Sequence, residues 1–144
     1  MRNIFDQYSQ PENKLTHALV CCLNEDPSLL KNFLKDFFKL EIKNIKPIQI
    51  VEQTFPDSKR EGLSKDESKL VSLPDALIYI ENDWCIVIEN KITCALTEDQ
   101  LNRHIRSIKR YDFKHIYALI LTVSDYQFAN DNWKRIYWTD FYIW

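Results

Sequence analysis

The chain has one glycine and one methionine in 144 residues. With glycine nearly absent, turns that need positive φ are expected to fall mostly to Asn and Asp, whose short polar side chains tolerate that conformation better than most. Its four cysteines, Cys21, Cys22, Cys85 and Cys94, show no CxxC spacing. Three of them sit in apolar surroundings, so they read as reduced core thiols and argue against a disulfide frame. His17 and Cys21 share a helical face, but no further pair completes a zinc site. No apolar stretch approaches the roughly 20 residues of a membrane span, and the opening "MRNIFDQYSQ" lacks a signal-peptide core. The chain therefore reads as cytoplasmic, with no membrane partner. A net charge of −2 argues against a protein that coats nucleic acid without specificity.

What is present fits one soluble domain over residues 1–144, with 45% hydrophobic and 28% charged residues. "PENKLTHALVCCLNE" has Leu15, Ala18, Leu19, Cys22 and Leu23 at helical spacing, and Pro11 suits the first turn. A second helix follows, with Asp26 as N-cap, Pro27 in the first turn and an apolar stripe of Leu29, Leu30, Phe33, Leu34 and Phe37. "IKPIQIVEQTF" alternates Ile45, Ile48 and Ile50 with polar residues and predicts a strand, placed at an edge or a strand start by Pro47. "PDSKREGLSKDESK" is polar, holds the single glycine and predicts a surface loop. "TEDQLNRHIRSIKRYD" predicts a helix capped by Thr97, burying Leu101, Ile105 and Ile108. "HIYALILTVS" is nearly continuous in apolar residues, as a central strand covered on both faces should be. "RIYWTDFYIW" adds a last strand and the start of a helix. The order ααβββαββ makes the fold α/β, a mixed sheet of four to five strands flanked by helices.

The segment "SLPDALIYIENDWCIVIENKI" carries Asp75, Glu89 and Lys91 inside apolar strand runs, where an isolated charge is costly to desolvate. If Ile80 and Trp84 close a three-residue loop, with Asn82 or Asp83 as the left-handed residue, Asp75 falls directly opposite Glu89. Such a pair shares a face with Cβ atoms about 5 Å apart, and Lys91 joins it by the period of two. A two-residue loop would pair Asp75 with Asn90 instead. Two carboxylates so close repel unless they share a proton or a cation. Hard oxygen donors with open positions suit Mg²⁺, and a nearby lysine can serve the attacking water or neutralise charge growing on a phosphate.

Pro74-Asp75, thirteen intervening residues, then Glu89-Asn90-Lys91 resembles the motif of the PD-(D/E)xK nuclease superfamily, which includes restriction endonuclease-like folds. That resemblance implies an αβββαβ core, which the predicted order matches with one extra leading helix. It further implies that Asp75 and Glu89 bind metal, Mg²⁺ with Mn²⁺ as substitute, and that Lys91 serves the water. Gln100 would position substrate or Lys91, and Glu12 would support the metal site. "ENKLTHAL" is similar to the opening of uncharacterised bacterial members. The implied activity is nuclease, an endonuclease ahead of an exonuclease and DNA ahead of RNA, leaving a 3′-hydroxyl and a 5′-phosphate. A setting in bacterial or phage defence is implied by resemblance alone. A homodimer would supply two sites for cutting two strands. The family pattern continues with a further helix after a turn like Trp138-Thr139, whereas this sequence ends at Trp144, as a minimal member or a fragment would.

Each of these residues also has a plainer reading. Asp75, Glu89 and Lys91 could form a structural ion-pair network. Glu12 could simply favour a helix N-terminus, although it projects along the stripe of Leu15, Leu19 and Leu23. His104, one turn beyond Gln100, could face a phosphate, but a lone histidine reads first as an ordinary surface or partly packed residue. Arg103, Arg106, Lys109 and Arg110 form a basic run that either grips a nucleic-acid backbone or is a solvated helix face. The aromatic cluster Trp133, Tyr137, Trp138, Phe141, Tyr142 and Trp144 reads as core or a subunit interface. Two rival functions stand beside the nuclease: a catalytically silent nucleic-acid-binding or assembly module, and a regulatory nuclease domain of a longer defence protein.

Overall fold

Proline and aspartate set the opening helices in the computed structural model, which describes residues 8–42, 48–56, 72–93, 96–125 and 133–144. Helix α1 spans Pro11–Glu25, with proline at its start and Glu12 in its first turn. Helix α2, Pro27–Phe38, begins where Asp26 Oδ1 accepts from the amides of Ser28 and Leu29 at 2.8 and 3.1 Å. Phe33 and Leu34 of its stripe are fully buried. The helix stops at Lys39, which takes φ 58° while the Leu40 amide donates back to the Leu34 carbonyl. Glycine ordinarily fills this position. The expectation that Asn and Asp would absorb positive φ is met by Asn82 at 58°, but Lys39 and Gln53 do so as well.

Five strands follow as one mixed sheet in sequential order. They are β1 Gln49–Glu52, β2 Ala76–Ile80, β3 Trp84–Lys91, β4 His115–Thr122 and β5 Lys134–Tyr137. The pairs β1/β2 and β2/β3 are antiparallel, and β3/β4 and β4/β5 are parallel. A parallel return needs a crossover, which helix α3, Glu98–Ile108, supplies between β3 and β4. The Thr97 hydroxyl caps α3 by accepting from the Gln100 amide at 3.2 Å. A short helix α4, Trp138–Ile143, ends the chain. Two layers cover the sheet. On one face Ile78, Ile86 and Ile88 meet Leu19, Leu23 and Phe33 of α1 and α2. On the other, Leu77, Tyr79, Cys85 and Val87 meet Leu101 and Ile108 of α3.

The order ααβββαββ and the edge position of β1 agree with the sequence reading; Ile45, Pro47, the segment from 57 to 69 and Cys94 lie outside the described residues. One expectation is corrected. Cys22 is exposed and Cys21 half-buried, leaving Cys85 as the buried core thiol among the described residues. The inner face of α1 runs through Glu12, Thr16, Leu19, Val20 and Leu23, a rotation that turns Cys22 outward. In the aromatic cluster, Trp133 is buried and Trp138 and Phe141 pack on the core, whereas Tyr142 is exposed.

Replacing Lys39 by glycine removes the penalty of a left-handed non-glycine residue and is expected to stabilise the protein by about 1 kcal/mol. Chemical denaturation of the two proteins checks it, with an unchanged denaturant slope.

Candidate active site

The hairpin register decides which side chains can meet. Ile80 pairs with Trp84 and Ala76 with Ile88, around a three-residue turn whose Asn82 supplies the left-handed residue. The ladder ends at Ala76 and Ile88, and Asp75, one residue before β2, meets β3 through its side chain, which accepts the Asn90 amide. Odd-numbered residues of β2 and β3 face α3, so Glu89 and Lys91 face α3 while Asn90 points to α1. All eight residues of β3 are buried, the last three being charged or polar.

Glu89 is the centre of this group, with 1% exposure. Its Oε1 receives the Lys91 ammonium at 2.7 Å and the Gln100 amide at 2.6 Å. Its Oε2 lies 3.0 Å from His104 Nε2. Those two atoms are misaligned for a hydrogen bond, and each is buried without a hydrogen-bond partner among the described residues. His104 is itself 1% exposed and its Nδ1 lies 3.2 Å from the Ser72 carbonyl oxygen. The expectation of a surface or partly packed histidine is thus corrected: α3 turns both Gln100 and His104, four residues apart, onto Glu89.

Asp75 accepts the Asn90 amide on Oδ2 at 2.7 Å, and its own carbonyl accepts from the Gln53 amide. Burial, followed by the charge of Glu89, raises the Asp75 carboxyl to about 6, against the lowering effect of the Asn90 amide, Lys91 and His104. Lys91 is pulled down by burial, but the hydrogen bond and charge of Glu89, with Asp75 and Glu12, outweigh this and raise it. The lysine is therefore an ammonium at neutral pH.

Glu12 arrives from the opposite layer. It is 7% exposed, and its Oε1 accepts from the amides of Ile92 and Thr93 at 3.0 and 3.1 Å, just past the end of β3. Helix α1 is pinned to the same strand by Asn90, whose Nδ2 donates to the Glu12 carbonyl at 2.8 Å and whose Oδ1 accepts from the Trp138 indole at 2.7 Å. The buried carboxylate of Glu12 thus caps the strand end and acts on Lys91 through its charge.

The basic run is laid out differently. Arg103 and Arg106 both pair with Asp99, the latter at 3.5 Å, while Lys109 and Arg110 are exposed beyond the helix end. His17 is held by Glu52 at 2.8 Å. Among the described residues no three His, Cys, Asp or Glu side chains gather as a ready-made metal shell. No described helix is long and apolar enough to cross a membrane.

The sequence assigns Asn90 no role beyond its place in the motif. Its inward direction follows from period-two alternation on a strand with no exposed face.

A five-stranded mixed sheet flanked by helices, with two carboxylates and a lysine at the end of its central hairpin, has the frame of a restriction endonuclease-like nuclease. A family model described as the PD-(D/E)XK nuclease superfamily matches residues 2–144, and the chain belongs to that superfamily. No curated protein and no solved structure matches it.

The Asp75 environment gives a signed pH effect. The folded protein holds the Asp75 proton more tightly than the unfolded chain does. The group's contribution to stability is complete below its ordinary value of 3.8 and is lost as pH rises through about 6. Asp75→Asn is therefore expected to stabilise the metal-free protein near neutrality by up to about 3 kcal/mol, with the gain vanishing in acid. Melting temperatures of both proteins in EDTA across that range check it.

Proposed function

We propose that the chain is a divalent-cation-dependent phosphodiesterase that cuts nucleic acid internally, with DNA as substrate ahead of RNA. The observation that carries this reading is the convergence of Lys91, Gln100 and His104 on the buried Glu89 carboxylate, beside an Asp75 whose proton affinity is raised by that same charge. A buried Glu89 carboxylate with one oxygen lacking a hydrogen-bond partner among the described residues, and with the Asp75 carboxyl close enough to feel its charge, favours a cation. Asp75 and Glu89 would hold it, with Mg²⁺ or its substitute Mn²⁺ as the ions expected for carboxylate donors. When bound, such an ion supplies Lewis acidity at a phosphate oxygen and makes water a stronger acid.

The chain's own residues divide the remaining work. Lys91 keeps its proton, which favours stabilising negative charge on the phosphate over acting as a base. Gln100 fixes the Glu89 rotamer through Oε1. Glu12 holds the end of β3 and adds negative charge near Lys91, a supporting role toward the cation. Lys109 and Arg110, with Arg103 and Arg106 beside them, would hold backbone phosphates. A homodimer would supply the second site for cutting a duplex.

Nicking of supercoiled plasmid, with labelled RNA in parallel, tests the reading. Mn²⁺ or Mg²⁺ should permit cleavage and raise the melting temperature; EDTA should abolish both, and Asp75→Ala or Lys91→Ala should lower the rate by about a hundredfold or more. If the ions change neither stability nor the plasmid, the silent binding module takes precedence. Exchanging Lys109 and Arg110 for glutamate should weaken DNA binding and flatten its salt dependence by about two contacts, leaving the saturated rate unchanged. Fluorescence anisotropy over a salt series reads this out.

A further inference from the structure

The two oxygens of Glu89 stand in unlike surroundings. Oε1 is bonded by Lys91 and Gln100, whereas Oε2 faces only the ring nitrogen of His104, 3.0 Å away and without hydrogen-bond alignment. Two buried polar atoms left unpaired against each other are costly unless something bridges them.

The separation itself is informative. Donors each roughly 2.1 Å from a common ion, on adjacent corners of an octahedron, lie about 3.0 Å apart. The second nitrogen of His104 points to the same conclusion, since Nδ1 lies 3.2 Å from the Ser72 carbonyl oxygen. In the tautomer that donates this proton, Nε2 keeps a bare lone pair beside Glu89 Oε2, not aligned on it. Histidines that bind metals are commonly oriented by such a bond from their other nitrogen to a backbone carbonyl.

Resting on the hydrolytic reading of Asp75 and Glu89, we propose that His104 Nε2 and Glu89 Oε2 are co-ligands of one divalent ion, making the centre a mixed nitrogen and oxygen site. Imidazole nitrogen suits Fe²⁺, Ni²⁺, Cu²⁺ and Zn²⁺ and is tolerated by Mn²⁺, whereas Mg²⁺ prefers oxygen and retains its waters. The order of cations expected from carboxylates alone is thereby reversed, with a transition ion ahead of Mg²⁺. Water completes the positions that the chain leaves open.

The test uses the full chain and Mn²⁺ alone as probe. Electron spin echo modulation of the bound ion should show coupling to an imidazole nitrogen, changed by incorporating isotopically labelled histidine and absent in His104→Gln. Calorimetry should give Mn²⁺ an affinity at least about tenfold above that of Mg²⁺, a gap that His104→Gln closes. If that variant does not fold, labelled wild type decides, because Asp75→Ala must then remove the histidine coupling. Binding of Mn²⁺ that depends on Asp75 but shows no histidine coupling overturns the proposal and leaves the hydrolytic reading intact. Absence of any Mn²⁺ binding overturns both.

Discussion

A carboxylate with almost no solvent exposure, at the end of a central strand, is the constraint around which the rest of this molecule is arranged. Glu89 sits where an apolar residue would be cheapest, and its charge is tolerable only because an ammonium, an amide and an imidazole close on it. Removing one partner of such a buried group leaves an uncompensated charge, a loss of about 3–5 kcal/mol. That demand fixes α3 in rotation, because Gln100 and His104 must both reach the strand. It also fixes the crossover, since a helix joining parallel strands lies over the face that Glu89 occupies.

The opposite layer answers a different demand. Asn90 turns its side chain toward α1 and α4, and there it satisfies a helix carbonyl and an indole with one amide group. Its backbone amide meanwhile holds Asp75. A single residue between Glu89 and Lys91 therefore ties the reacting face to the packing face. Glu12 closes the same strand from beyond its end. The hairpin is held by neutral and charged contacts on both sides, which restrains the backbone while leaving one oxygen of Glu89 without a hydrogen-bond partner among the described residues.

Much of this can be read from the sequence because period-two alternation and turn length are local properties. Asn82 between two apolar runs suffices to set the three-residue turn and the register from Ile80–Trp84 to Ala76–Ile88, and Pro27 after Asp26 suffices to start α2. The central burial of β4 follows from an apolar run too continuous for a one-sided strand. Misreadings arise where tertiary rotation decides. Helical spacing gives a stripe but not its centre, so it points Cys22 inward although the residue faces out. His104 looks ordinary in the sequence because its environment is made by Ser72 and Glu89, distant along the chain and brought in by the sheet. Glycine scarcity does shift turns to other residues, but Lys39 shows that hydrogen bonding at a helix end can impose φ on a residue with no preference for it.

The attachment of Glu12 to the amides of Ile92 and Thr93 joins segments eighty and eighty-one positions apart. Contacts of that span are the slowest to form, since the entropy of closing the long loop is lost before the bond is gained. On the ribosome, α1 emerges well before β3 and must wait for it before it can dock on the strand that carries Glu89 and Lys91. A partly folded chain therefore lacks the cap that Glu12 places on the end of β3 until α1 has docked.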